Sequence, residues 1–120
     1  MARFDAGMTN VGTAGTAVQV NNSTARVVWA RFKARASNTG GVYVGLSDVS
    51  STNGWELTPT IATTSYGVSN APSERNTEGL ILDFREMGKQ GSPGSCLVSD
   101  FYVDAAVSGD DVDWAFIYEH

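Results

Sequence analysis

The chain has very little of what catalytic and disulfide-stabilised proteins use: one cysteine, one histidine and two lysines in 120 residues. Cys96 alone cannot form an intrachain disulfide. The single histidine is the last residue, His120, and a terminal side chain is poorly placed to act as a general base or as a zinc ligand. We therefore predict no catalytic residues, no metal site and no cofactor, and we expect the protein not to be an enzyme.

Long apolar runs and an excess of positive charge are also missing. No apolar run approaches the roughly 20 residues that span a bilayer, and the first residues lack the apolar core of a secretory signal. We therefore expect the protein to be made in a cytoplasm, without a membrane as partner. The formal net charge is −5. Because nucleic-acid binding depends on cationic groups that displace counterions, we do not expect DNA or RNA as a partner.

The residues that are abundant favour strands and turns. The chain has 13 Val, 11 Thr, 12 Ser and 13 Gly against 5 Leu. β-branched side chains pack well on a pleated sheet, whereas helices favour Leu, Lys and Glu. The composition therefore predicts an all-β protein of one domain, since 120 residues are enough for one core but too few for two.

Alternating apolar and polar residues mark the strands. Arg26–Ala36 is the longest predicted strand, and Ser37–Gly41 is predicted to close a hairpin to the next strand. That strand begins at Val42, and Val42, Val44 and Leu46 are predicted to face inwards. Further strands are predicted over residues 16–20, 80–84, 97–107 and 112–119. We predict a two-layer antiparallel β-sandwich or jelly roll of about seven to eight strands with long loops. The predicted core consists of Val28, Phe32, Val42, Val44, Leu82, Phe101, Trp114 and Phe116.

Two segments lack this alternation. Residues 1–16 are predicted to be an N-terminal arm, either a frayed end or a segment that orders on a neighbour, which leaves 17–120 as the sandwich domain. A long loop insertion is predicted at about 58–79, and Ile61–Ser69 could be a further strand within it.

Two features suggest a surface for partners. Trp29 and Tyr43 are predicted to face outwards on paired strands, where they would form an exposed aromatic spot or be covered by the protein's own long loop. The second feature is uneven charge, because half of the basic residues lie between Arg26 and Arg35, whereas the last 25 residues are acidic. These oppositely charged segments could attract each other within one molecule or between identical copies, or they could be two separate solvated faces. The predicted interface residues are Phe4, Met8, Trp29, Arg31, Lys33, Arg35, Tyr43, Trp55, Leu57, Ile61 and Tyr66.

The carboxylates near the C-terminus could form a weak calcium site. Asp110, Asp111 and Asp113 lie close to Asp104 in the sequence, and calcium prefers oxygen ligands. Their spacing differs from that of a dedicated calcium loop, and strand alternation sends only part of the set to one face. The pattern therefore favours a solvated acidic turn.

Two blocks of sequence resemble a known family. Gly41–Trp55 (GVYVGLSDVSSTNGW) and Phe101–Asp110 (FYVDAAVSGD), with the strand Arg26–Ala36 before them, are similar to small β-sandwich virion proteins of tailed bacteriophages, of the head decoration or capsid cement type. The resemblance covers roughly half of the chain. The chain departs from the family in its longer 58–79 region and in its added 1–16 segment.

The resemblance implies a non-enzymatic protein, often a homotrimer, that binds the major capsid protein on the outer surface of the assembled shell and stabilises it. Its location would then be the virion. Related sandwiches occur in phage tails and baseplates, so the fold does not fix the position on the particle. A carbohydrate- or receptor-binding module that uses Trp29 and Tyr43 is the alternative from a different class.

Overall fold

The structure is a computed structural model that describes residues 2–59, 79–84 and 96–119. Over these ranges the chain forms two four-stranded antiparallel sheets and a single 3-10 turn, with no α-helix. The first sheet has the order β1-β8-β3-β6 and the second the order β2-β7-β4-β5. The strands are β1 (Ala2–Asn10), β2 (Val18–Gln19), β3 (Arg26–Ala34), β4 (Val42–Gly45), β5 (Trp55–Leu57), β6 (Leu80–Asp83), β7 (Tyr102–Ala105) and β8 (Asp111–Glu119). The predicted all-β sandwich is confirmed.

The core lies between the two sheets and is centred on three phenylalanines. The ring of Phe32 on β3 lies 5.3 Å from that of Phe101 and 5.6 Å from that of Phe116 on β8. Apolar residues of the second sheet close the core from the other side. Of the predicted core, Phe32, Val42, Val44, Phe101 and Phe116 are buried, and Leu82 and Trp114 pack against them while staying partly exposed.

The prediction was wrong for Val28, because a β-bulge changes the alternation of β3. Against β8, Val27 pairs with Tyr118 and Trp29 with Ile117, so the register shifts between Val27 and Trp29. A bulge places two residues of one strand opposite one residue of the other. As a result Val27 is buried, with 2% of its surface exposed, whereas Val28 is only partly buried.

The predicted hairpin at 37–41 is instead a connection between the two sheets. β3 pairs with β6 and β8, whereas β4 pairs with β5 and β7. The backbone N–H groups of Thr39 and Gly40 donate to the buried carboxylate of Asp110 at 3.0 and 2.9 Å. This carboxylate satisfies the backbone of the crossing loop, so a segment rich in turn residues changes sheets instead of folding back on itself.

The loop after β4 also reverses two predictions. Leu46 was predicted to face inwards, but β4 ends at Gly45 and Leu46 is 55% exposed. Tyr43 was predicted to face outwards into solvent, but it is buried. The loop folds back through a bridge between Ser50 and Asn53, which places the buried Val49 against the outward side of the second sheet.

The N-terminal segment is not an arm over most of its length. Residues 2–10 form β1, which pairs with β8 along all nine residues. The indole of Trp114 lies against Gly7 so closely that an added Cβ would be 2.7 Å from the ring, and its Nε1–H donates to Thr9 Oγ1 at 2.9 Å. The segment escaped recognition because its inward positions are Arg3, Asp5, Gly7 and Thr9, and Trp114 supplies the apolar cover that these residues lack.

The two strands predicted at 80–84 and 97–107 differ in outcome. The predicted strand at 80–84 is confirmed as β6, whereas the predicted strand at 97–107 is a 3-10 turn, Val98–Asp100, followed by the shorter β7. The proposed strand Ile61–Ser69 and most of the 58–79 insertion lie outside the described residues.

Candidate interaction surface

The outer face of the first sheet, on the side away from the core, is the most distinctive surface of the described chain. Cross-strand partners in a sheet point to the same side, so the strand register shows which side chains lie together. Two adjacent rows cross the four strands in the order β1, β8, β3, β6. The first row is Phe4, Ile117, Trp29 and Asp83, and the second is Ala6, Ala115, Arg31 and Ile81.

Apolar side chains dominate these two rows. Phe4 is 66% exposed and Ile81 is 53% exposed, and partly buried Ile117 and Trp29 lie between the strands that carry them. Met8 adds a further apolar side chain on β1 with 48% exposure. A single exposed apolar residue is ordinary, but a contiguous patch usually marks an interaction surface. We call this patch, with its flanking charges, the outer face.

Charged residues flank the apolar rows at both ends of the sheet. Arg26 pairs with Glu119 at 3.5 Å at one end, and Arg35 pairs with Asp113 at 3.3 Å at the other. The guanidinium of Arg35 also contacts the sulfur of Met8. Each exposed pair contributes little to stability, but an apolar centre with a charged rim is the usual arrangement of a protein interface.

These ion pairs also show where the basic and acidic segments meet. β3 carries the basic residues and β8 carries much of the acidic charge, and the two strands are neighbours in the first sheet. Lys33, for example, is the cross-strand partner of Asp113. The predicted attraction is therefore present within one molecule.

The structure brings most of the predicted interface residues together. Phe4, Met8, Trp29, Arg31, Lys33 and Arg35 all belong to the outer face, on β1 and on or just beyond β3. Trp55 is exposed but lies on β5 of the second sheet, and Leu57 is fully buried, so its assignment to an interface was wrong. Ile61 and Tyr66 lie outside the described residues.

The predicted aromatic spot of Trp29 and Tyr43 does not exist. The two residues belong to different sheets, and Tyr43 keeps only 8% of its surface exposed. Gly54 and Val49 of the following loop pack beside it. Burial, followed by the negative charges of Glu56 and Asp104, raises the pKa of the Tyr43 hydroxyl. This removes the site on which a carbohydrate-binding function was based.

Sequence reasoning missed Ile81 and Ile117 as members of the outer face. Each is flanked in sequence by inward-facing residues of its own strand, so the alternation already assigned both isoleucines to the outside. What it did not show was that β6 and β8 flank β3, which places these isoleucines in the same two rows as Phe4 and Trp29.

Two of the carboxylates that were candidates for a calcium site, those of Asp104 and Asp110, have structural roles. Asp104 is almost fully buried and accepts the backbone N–H of Gly15 at 2.9 Å, and Asp110 caps the loop that changes sheets. Among residues 2–59, 79–84 and 96–119 no group of three or more His, Cys, Asp or Glu side chains could hold a metal ion. Partial burial, and then the charge of Asp100, raise the pKa of Cys96, which favours the less reactive thiol.

Comparisons with protein-family models, with curated proteins and with solved structures find no match. In the described part of the chain there is also no helix long and apolar enough to cross a membrane. The function is therefore inferred from the surface and its chemistry.

Proposed function

We propose that this β-sandwich is a non-enzymatic structural protein of a tailed-phage virion, which binds the outer surface of the assembled shell and stabilises it. The observation that carries the binding role is the outer face, where two rows of largely apolar side chains lie between two ion pairs. The resemblance of Gly41–Trp55 and Phe101–Asp110 to capsid decoration proteins supports the identity of the partner, a major capsid protein.

The outer face suits a binding role because it needs no rearrangement. Its side chains stand on paired strands, so the backbone loses little conformational entropy when a partner covers them. Full burial of a large apolar side chain contributes about 1.5–3 kcal/mol, so covering Phe4, Met8 and Ile81 would yield several kcal/mol. A protein that binds only the assembled lattice shifts the equilibrium towards that lattice by mass action.

Assembly as a homotrimer on the surface of the particle belongs to the same proposal, on the ground of the resemblance alone. The charge attraction that also suggested self-association occurs between β3 and β8 of one chain. It therefore does not require a second copy.

The proposal is tested on purified particles of the phage that encodes the chain. Mass spectrometry should find the protein in a fixed ratio to the major capsid protein, and a cryo-EM map should place the first sheet against the shell. Density in the tail or baseplate would move the protein to another part of the virion, and absence from the particles would overturn the proposal.

The surface is tested by adding purified variants to particles that lack the protein. The double variant Phe4→Lys, Ile81→Lys should bind at least about tenfold more weakly, because it places two charges in the apolar rows. The matched control is Leu46→Lys with Trp55→Lys, which changes two residues of similar exposure outside the outer face. Equal binding by both double variants would show that another surface contacts the shell.

A further inference from the structure

The edge strands of the two sheets differ in length. Among the described strands, three of the four edge strands are short: β2 has two residues, β5 has three and β6 has four. The fourth, β1, has nine. An edge strand presents unpaired backbone N–H and C=O groups to any strand that approaches, and proteins commonly limit this by keeping edge strands short. β1 is the exception in this fold.

Within residues 2–59, 79–84 and 96–119 no strand pairs with β1 on the side away from β8, and the backbone groups on that side can be assigned. Val11, just after the strand, donates its N–H to the Asp110 carbonyl and accepts from the Gly109 N–H, so its polar groups point towards the β8 side. In an antiparallel pair this direction alternates with each residue. The odd-numbered residues of β1 therefore bond to β8, and the even-numbered residues, such as Phe4, Ala6 and Met8, direct their N–H and C=O groups away from it.

β1 lacks most of the devices that protect an edge. It contains no proline and no lysine, and its pairing with β8 shows no register shift along its whole length. Inward-pointing charge is a further device, and β1 carries it in Arg3 and Asp5, which have opposite signs. Neither charge lies on the outer face, so neither causes repulsion between like charges there.

We propose that two copies of this chain pair through β1, antiparallel and about a two-fold axis that passes through Ala6. This register uses the full strand and forms about ten backbone hydrogen bonds between the outward-pointing groups. On the outer face it places Phe4 opposite Met8 of the second copy, twice. On the inward side Arg3 faces Thr9 and Asp5 faces Gly7, so no like charges meet.

A second copy is the occupant because the edge is complementary to itself. The two-fold pairing matches each exposed apolar residue of β1 with another exposed apolar residue, as cross-strand stabilisation requires. A register with Asp5 on the axis would bring two carboxylates together, so the charges select against that alternative. The interface is isologous, as in most soluble dimers.

The dimer joins the two first sheets into one eight-stranded sheet with a continuous outer face. This inference uses only the edge of β1 and does not depend on the proposed function. Each copy contributes mainly one nine-residue strand to the contact, so the dimer should dissociate on dilution instead of being permanent.

Sedimentation equilibrium of the full chain over a wide concentration range tests the pairing. The wild type should approach twice the monomer mass at high concentration. Ala6→Pro should remain monomeric with an unchanged far-UV spectrum, because it removes an N–H that β8 does not use, and an edge strand tolerates proline there. Phe4→Lys should weaken the dimer at least tenfold, whereas Leu46→Lys, a like change away from β1, should leave it intact.

Disulfide trapping tests the register, in a Cys96→Ser background. Ala6→Cys should cross-link to itself, because residues paired at the axis have Cα atoms about 5.5 Å apart, within the range of a disulfide. Phe4→Cys alone should not cross-link, since the two copies of position 4 would be about 13 Å apart along the strands.

The same two experiments can overturn the inference. A wild type that is monomeric at every concentration would refute the pairing, as would a dimer that Ala6→Pro and Phe4→Lys leave unchanged. Cross-linking by Phe4→Cys in place of Ala6→Cys would refute the proposed register.

Discussion

Phe32 contacts the other two rings of the core and lies on the central part of β3, which pairs on both sides. Its side chain is fully buried, so truncation would leave a cavity that the surrounding strands cannot close. We expect Phe32→Ala to lower the free energy of unfolding by about 3–5 kcal/mol, measured by urea denaturation. Ile81→Ala is the control on the outer face and should change it by less than about 0.5 kcal/mol. Comparable losses in both variants would contradict the assigned faces.

Tyr43 makes stability depend on pH in the alkaline range. Its pKa is raised in the folded state, so the folded protein retains the phenol proton more strongly than the unfolded chain does. Stability is therefore fully present below the usual tyrosine pKa of about 10, and it falls as pH rises through this value towards the raised one.

The measurement compares the wild type with Tyr43→Phe. Other groups that titrate at high pH are common to both proteins and cancel in the difference. We expect the free energy of unfolding to fall more steeply above about pH 10 in the wild type than in the variant. Parallel curves would show that Tyr43 titrates equally in the folded and unfolded states.

At the scale of elements, the loop between β3 and β4 depends on Asp110. Its carboxylate accepts from the backbone N–H groups of Thr39 and Gly40 in a buried position. We expect Asp110→Ala to cost about 1–3 kcal/mol, because the two donors lose their acceptor. Asp48→Ala is the control, since Asp48 is exposed, and denaturation curves of both variants measure the difference. An unchanged Asp110→Ala protein would mean that water replaces the carboxylate without cost.

The strand β1 changes the expected effect of an N-terminal truncation. The sequence pattern predicts an arm at residues 1–16, and removal of the first ten residues of such an arm would leave the stability unchanged. In the structure these residues cover Trp114 and complete the backbone pairing of β8. We therefore expect their removal to lower the melting temperature by more than about 5 °C, which corresponds to about 1 kcal/mol for a domain of this size. Calorimetry of the truncated chain measures it, and an unchanged melting temperature would return the segment to the role of an arm.

At the scale of the whole molecule, the outer face makes the surface of the sandwich asymmetric. We expect Phe4→Ser with Ile81→Ser to reduce retention on a hydrophobic interaction column while leaving the melting temperature within a few degrees, because neither side chain belongs to the core. Leu46→Ser with Trp55→Ser removes residues of similar exposure elsewhere. Because neither residue belongs to the outer face, this control should reduce retention less. The reverse order would place the dominant apolar surface on the second sheet.

The local pattern determined the fold class and most of the core. Alternation in β3, β4 and β8 identified Phe32, Val42 and Phe116 correctly, because a period of two follows directly from the geometry of an extended chain. It also assigned Trp29 and Arg31 to the outside of β3. These properties depend on residues close in sequence, so the sequence alone was sufficient.

Tertiary structure decided the properties that depend on which strands are neighbours. Only the pairing of β3 with β8 shows that the basic and acidic segments meet within one chain, and only the sheet order joins Ile81 to Phe4 in one surface. Because of the bulge in β3, Val27 is buried instead of Val28. The polar N-terminal segment forms a strand that packs against Trp114. In each case the deciding contact joins residues far apart in sequence, and no local pattern specifies its partner.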